Sequence, residues 1–520
     1  MYTQKISPQD IFDRINADAY APHFVEAMHR LESSQLNLST LGNVVCKPIN
    51  NSIRGVTGEL NNTGSIIPMF RPADISGGEA NVSSAPKLSA DFESDHIKSR
   101  VYPGDLVLGI AGSVGVVGRV PKNIDFGNIN GSSARISTGE DYRSAYLLSY
   151  LQSKYGQSAM LRFGVGSVQK HLNLEDLPKV VVLCPSELAQ KYIGEKVRQA
   201  ERLRAWAKGL QLQIKQQFAS LVKEKPAASK FYRTSIADLE PYRINPSHYD
   251  PVVLSLLKRA SSEGVKLEPI SALLGNRKIA GGATPKGADY LESGVLFVRV
   301  QNVKPLALDL SDAVFIDADT NDQLSRSECQ VDDIVLSITG YPGTASLVTE
   351  QDLPMNINQH SVRFNVKQGV DSAYVCAALN SEFLKLQVQR LSIGGTRDAL
   401  DFPSVGNLLI PRFSEDIESA VAVSARHYIK AVQLSKLLIF VAKMLVEELI
   451  EGNISEAEMV SAQQALEAGD DSLDRALLER MTAEGIDGEG DPLFDDIDQL
   501  YDLLEQAKQA LDADDTMAEA

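Results

Sequence analysis

At 520 residues with 43% apolar side chains, the chain is long enough for two or three domains with substantial cores. No apolar run is long enough to cross a membrane, and the opening MYTQKISPQDIFDRI lacks the basic-then-apolar order of a secretory signal, so a cytoplasmic protein with no membrane partner is expected. The formal charge of −17 argues against a nucleic-acid partner until its distribution is read: residues 452–520 hold 20 acidic and 3 basic side chains, leaving 48 of each sign elsewhere.

Four scattered cysteines, Cys46, Cys184, Cys329 and Cys376, and seven histidines show no metal-ligand spacing. No metal and no cofactor bound by this chain are expected. Residues Tyr2–Ile15 read as a leader broken by Pro8, and Ala17–Ser33 as an amphipathic helix. From Leu36 to Pro185 short strand-like runs alternate with glycine, proline and asparagine, clearest at Ser65–Phe70, Asp105–Ile110 and Val180–Leu183. One helix, Tyr142–Leu161, interrupts them. A long proline-free helix follows at Glu187–Glu224, with Ile193, Val197, Ala200, Leu203, Ala207, Leu210, Ile214, Phe218 and Leu221 at spacings of three and four. Lys223–Lys230 reads as a linker.

Then the order starts again. VYPGDLVLGIAGSVGVVGRV at Val101 is echoed by CQVDDIVLSITGYPGTASLV at Cys329, an offset of 228 in the numbering. RINADAYAPHFVEAMHRL at Arg14 is echoed by RINPSHYDPVVLSLLKRA at Arg243, an offset one greater. The offset from Val101 to Cys329 also pairs Gly112 with Gly340, Gly115 with Gly343, Asn130 with Asn358, Tyr146 with Tyr374 and Gly166 with Gly394. A shift held over so many positions marks a duplicated unit, each an α+β domain followed by a long helix. The second long helix is Glu415–Glu451, striped by Ile417, Val421, Tyr428, Val432, Ile439, Ala442 and Leu449. Two such stripes can cover each other about a pseudo-two-fold axis, giving a spacer with a domain at each end. Duplex DNA, whose sites recur at helical-turn spacing, suits that shape.

Three segments offer recognition chemistry. GGATPKGADYLESGVLFVRVQNVKP, Gly281–Pro305, places Lys286 in a loop and Arg299, Gln301 and Asn302 at the end of a strand read as Val295–Val300; Arg71 of SIIPMFRPADI is the first-unit counterpart of Arg299. Arginine and the carboxamides match guanine and adenine edges, while lysine and threonine serve phosphates as readily; a solvated loop after a strand is the plain alternative. The ladder Gly109-x-x-Gly112-x-x-Gly115-x-x-Gly118 lacks the GxGxxG spacing of a nucleotide loop and reads as a tight turn, with Ser113 at its tip and Thr339 and Tyr341 at the tip of its counterpart SITGYPGTA. LSIGGTRDALDF at Leu391 matches FGVGSVQKHLNL at Phe163, offering Thr396 and Arg397 in one unit and Ser167, Gln169 and Lys170 in the other. Amides beside Gly394 and Gly395 suit a phosphate, with Arg397 closing on it or pairing with Asp398 or Asp401.

These segments together resemble the DNA-specificity subunit of type I restriction-modification systems: GGATP…Y…GVLFVRVQNV, DDIVLSITG-Y-PG and LNSEF…IGGTRDALDFPSVGNLLIP in the second half, and PGDLVLGIAGSVG, LQSKYG and VGSVQKHLNLEDLPKVVVLCP in the first. The resemblance covers nearly everything up to Glu451 and is carried by the constellation, not by any one motif. It implies an α+β fold with two repeated target-recognition domains separated by two long antiparallel coiled-coil helices: residues 1–185 and 226–413 as domains, 186–225 and 414–451 as spacer helices. It further implies a bipartite double-stranded DNA target, two DNA adenine methyltransferase subunits that bring S-adenosylmethionine, and an ATP-dependent motor/nuclease subunit in the full restriction complex. The first half departs from the family's usual GIPWIR…DI-like stretch, and residues 452–520 lie outside the usual pattern. That extension has helical periods at Ala457–Ala468, Leu473–Met481 and Ile497–Leu511 and reads either as a cover for the basic face or as a docking element.

No Asp/Asn-Pro-Pro-Tyr/Phe methyltransferase signature, no GxxxxGK[ST] loop and no convincing nuclease carboxylate set occur, so no catalytic residue is assigned. The competing reading is a coiled-coil protein-interaction scaffold with a DNA-mimicking acidic tail. A free-standing enzyme with an unrecognised site is the third.

Overall fold

The computed structural model describes residues 11–12, 16–50, 58, 60–166, 170–223, 231–239, 243–285, 290–394 and 398–519, with side chains up to residue 513, Asp238 excepted. Two compact units divide it, residues 1–204 with 433–520, and residues 205–432. Among the described residues no helix is long and apolar enough to cross a membrane.

In the first unit a five-stranded sheet runs Ser133–Ile136, Leu106–Gly109, Val117–Arg119, Glu79–Ala80, Ile75–Ser76, and a four-stranded sheet runs Lys87–Leu88, Ile67–Phe70, Gly127–Ile129, Arg100–Val101. Leu106, Val107 and Leu108 are buried on both faces, which is why this strand reads as a continuous apolar run and not as an alternation. The expected helix Tyr142–Leu161 is two helices, Asp141–Gln152 and Lys154–Leu161. Ser153 between them is extended, and its hydroxyl accepts from the Gly156 amide at 3.1 Å. It caps the second helix and thereby ends the first. The first helix is pinned by Tyr146 and Tyr150, whose buried hydroxyls donate to the Leu183 and Val181 carbonyls at 2.8 Å each. Fully buried Arg119 ties the sheet to Glu201 on the long helix (2.6 Å) and to Asp141.

In the second unit the sheets run Ala280–Gly281, Ser361–Phe364, Ile334–Ser337, Ala345–Leu347 and Val314–Ile316, Val295–Val298, Met355–Ile357. Four of its strands stand at a constant offset from strands of the first unit, the one that separates Val101 from Cys329. Leu106–Gly109, Val117–Arg119, Gly127–Ile129 and Ser133–Ile136 return as Ile334–Ser337, Ala345–Leu347, Met355–Ile357 and Ser361–Phe364. Ser381 caps Glu382–Leu391 as Ser153 caps its helix, and the Tyr374 hydroxyl donates to the Pro411 carbonyl as Tyr146 does to Leu183.

The long helices are Glu187–Ala219 and Glu415–Glu451. The first stops short of the expected Glu224 because a tighter turn, Ser220–Val222, closes it. Within the second unit Trp206 meets His427 (5.5 Å between rings) and Phe218 meets Phe413 (6.0 Å), so the two helix segments run past each other in opposite senses. Ile214, Phe218 and Leu221 share a core there with Val421, Ala422, Ala425 and Ile429. Of the expected stripe on the second helix, Val421, Ile439, Ala442 and Leu449 are buried, whereas Ile417, Tyr428 and Val432 are only half-buried; Ala425, Leu438 and Leu445, outside that stripe, are fully buried.

Residues after Glu451 fold as helices Glu456–Glu467, Ser472–Glu479 and Ile497–Glu519 around a hairpin of Met481–Thr482 and Gly485–Ile486. They pack on the first long helix within the first unit. Lys196 and Asp474, both fully buried, pair at 2.5 Å, with the Tyr192 hydroxyl donating to the same carboxylate at 2.8 Å and the Tyr501 hydroxyl to its other oxygen. Burial by itself would raise the Asp474 pKa; Lys196 and the two tyrosines overcome it and hold the carboxyl below its ordinary value.

Candidate nucleic-acid interface

Each unit carries a face built from three loops. The first is the hairpin tip after Leu106–Gly109 or Ile334–Ser337. Gly115 and Gly343 have φ of +87° and +96°, and a Cβ there would lie 2.8 Å from the Gln157 side chain and 2.9 Å from Val388. Only glycine combines that backbone with that approach, and this is what the glycine spacing encodes. The second loop is an asparagine turn: Asn130 Oδ1 accepts from the Ser132 amide (3.2 Å), and Asn358 Oδ1 from the His360 amide (3.1 Å). The third is the glycine loop, closed by the Val165–His171 bridge in one unit and Ile393–Ala399 in the other.

The same hydrogen bonds join the loops in both units. Ile110 N donates to Ser132 O (2.8 Å) and Leu172 N to Ile110 O (2.9 Å); at the equivalent positions of the second unit, Ile338 N donates to His360 O (2.9 Å) and Leu400 N to Ile338 O (2.8 Å). The backbone frame is common, while the side chains it presents are not. Ala111, Ser113, Gly131, Ser132 and His171 stand where the second unit has Thr339, Tyr341, Gln359, His360 and Ala399. Tyr341 is 87% exposed at its tip. Gln359 accepts a hydrogen bond from the Thr284 hydroxyl and lies 3.3 Å from His360 Nε2, which ties the Gly281–Thr284 loop into this face. In the first unit the three loops line a cleft of about 540 Å³.

Of the residues singled out from sequence, Ser113, Thr339, Tyr341 and Lys170 stand on these loops, Ser113, Tyr341 and Lys170 exposed. Lys286, Ser167, Gln169, Thr396 and Arg397 lie outside the described residues. Asn302 is a correction. It is fully buried, accepts from the Arg299 amide (2.9 Å) and donates to Asp309 O (2.9 Å) and Asp312 Oδ1 (2.5 Å), so its amide is consumed in holding a turn. The expected strand Val295–Val300 ends at Val298 for the same reason, a tight turn at Val300–Asn302 replacing its last residues. Arg299 and Gln301 pair with Asp312 at 3.3 and 2.7 Å, and Gln301's hydrogen bond is the chief cause holding the Asp312 carboxyl below its ordinary value. Arg71 makes the equivalent turn by forking onto buried Asp74 at 2.8 and 3.0 Å, and that hydrogen bond raises its pKa.

Gln359, His360 and His171 were missed. The signal was present: Asn130 and Asn358 align at the common offset, and the next two residues, Gly131-Ser132 against Gln359-His360, differ within a kept turn. Among the described residues no cluster of three His, Cys, Asp or Glu could hold a metal ion.

No family model matches the chain. A stretch of 151 residues is 30% identical to the type I restriction enzyme EcoBI specificity subunit of Escherichia coli, covering 28% of this chain and 31% of that protein. The match thus spans about a third of the length of this curated relative. Among solved structures, the type I restriction-modification S subunit of M. genitalium is 11% identical with a TM-score of 0.35, over 82% of this chain and 96% of that one. The HsdS subunit of Thermoanaerobacter tengcongensis is 14% identical with a TM-score of 0.26, over 80% and 97%.

Proposed function

We propose that this chain is a member of the type I specificity-subunit family and is the non-catalytic, sequence-reading DNA subunit of a cytoplasmic type I restriction-modification complex. Each unit reads one half of a split duplex target through its three-loop face. The long helices fix the separation of the two halves and dock two adenine methyltransferase subunits. Those subunits bring S-adenosylmethionine, and a motor/nuclease subunit joins them in the restricting complex.

The observation that carries this reading is the loop frame repeated with the same backbone hydrogen bonds at Ile110 and Ile338 and with different side chains. A fixed frame positions a protein on a repeating ligand, and variable side chains at the loop tips choose the sequence. Exchanging Ala17–Leu183 for the corresponding segment of a relative and sequencing the methylated sites tests it. One half of the target changes and the other stays. If both halves change, or neither does, the modular reading fails.

A further inference from the structure

Besides the three-loop faces, two other clefts recur at equivalent places. In the first unit a cleft of about 400 Å³ is bounded by Gly77-Gly78, by Gly115-Val116 on the hairpin shoulder, and by Lys443 of the second long helix. In the second unit a cleft of about 60 Å³ is lined by Pro305-Leu306, by Ser381 and Lys385, and by Lys215 of the first long helix. Gly77 and Pro305 correspond at the common offset of the two repeats, and so do Lys215 and Lys443. Each β domain therefore meets the long helix of the other repeat, with a lysine at the same helical position.

The wall between cleft and hairpin is also the same. Gln152 Nε2 donates to Val117 O (3.0 Å) and Asn380 Nδ2 to Ala345 O (2.8 Å), donors and acceptors again corresponding between the repeats. These carboxamides brace the hairpin, and the lysines supply the charge. Among the described residues no Asp or Glu lines either cleft, in a chain that carries 68 of them. Lys215 is exposed; Lys443 is half-buried, its ammonium 4.8 Å from the centre of the Phe440 ring. In the first unit one hairpin separates the two clefts: Ile110 and Ala111 face the three-loop cleft, and Gly115 and Val116 face the lysine. A duplex seated on the three loops carries its backbone over that hairpin.

We infer that Lys443 and Lys215 form a matched pair of sugar-phosphate contacts for duplex DNA, one beside each recognition face, an inference that rests on the proposed DNA-binding function. An ammonium beside a groove with no acid in its lining suits a phosphate and carries no sequence information. The pair sets register along the duplex and leaves sequence choice to the loops.

The test is fluorescence anisotropy of the full chain with labelled duplexes of several sequences between about 50 and 200 mM salt. Lys443→Ala and Lys215→Ala should each lower the slope of log K against log salt by about 0.9, and the double variant by about twice that, equally for every duplex. Lys508→Ala, on the C-terminal helix, should leave the slope unchanged. Lys443→Arg should restore it, which a packing defect would not. A double variant with the wild-type slope overturns the pair while leaving the DNA-binding function standing. A wild-type chain with no salt-dependent DNA binding overturns both.

Discussion

Removing the Asp474 carboxylate should release the C-terminal extension from the long helix without unfolding the sheets. Asp474→Ala leaves the Lys196 ammonium fully buried without its partner and strips Tyr192 and Tyr501 of their acceptor. Breaking a buried pair from one side costs about 3–5 kcal/mol, whereas replacing both members by apolar groups is often neutral or stabilising. Asp474→Ala should therefore expose residues 453–513 to limited proteolysis and fast amide exchange, and Lys196→Met with Asp474→Leu should restore protection in part, the Tyr192 and Tyr501 hydroxyls still lacking their acceptor. The pH dependence has a definite sign. Because the folded Asp474 pKa is depressed, its contribution is fully present above the unfolded value of about 3.9 and is lost as pH falls below it through the folded pKa. Docking should persist at neutral pH and weaken only in acid. An extension that stays protected in Asp474→Ala, or a double variant as exposed as the single one, would refute the buried-charge argument.

Three other perturbations reach separate parts of the molecule. Leu210→Asp puts a carboxylate where the side chain is 6% exposed, at a cost of several kcal/mol, visible as a lowered melting midpoint and, under the proposed function, as loss of the methyltransferase subunits on size exclusion. Gly343→Ala forces a side chain into φ +96° against Val388 and should lose about 1–2 kcal/mol of stability, with DNA affinity falling further as the tip shifts; unchanged unfolding in urea would contradict it. Gln359→Ala should relax discrimination at one base pair by about 1–3 kcal/mol without altering the salt slope, measured by competition among single-substitution duplexes.

The one-sidedness of the extension follows from where the repeats differ. At the common offset, Tyr192 and Lys196 correspond to Ala420 and Ser424, which at the same spacing offer one hydroxyl and no ammonium. The duplicated frame thus holds two long helices of similar build, and the first has the tyrosine and lysine that hold Asp474. Its acidic surplus is not all solvated charge, since Asp474 is spent inside the protein and Glu456 accepts from the Ser186 amide at 2.8 Å.

Much was legible because it is local or periodic. The offset between the repeats, the glycines of the hairpin tips and the start of each long helix are set by backbone sterics and by apolar spacing, which a sequence displays directly. The second helix was read to the residue, Glu415–Glu451, since glycine follows it and Gly452 adopts φ +78°. What pairs across the fold was not legible. Asn302 looked like an exposed reader of bases because it follows an arginine and a glutamine at a strand end; tertiary structure instead closed Asp309 and Asp312 over it. Lys196 lies on the first long helix like any solvated lysine until Asp474, far along the chain, desolvates it. Local sequence determines backbone geometry through short-range sterics. Whether a polar side chain faces water, a ligand or a buried partner depends on which distant segment covers it, and only the packed chain decides that.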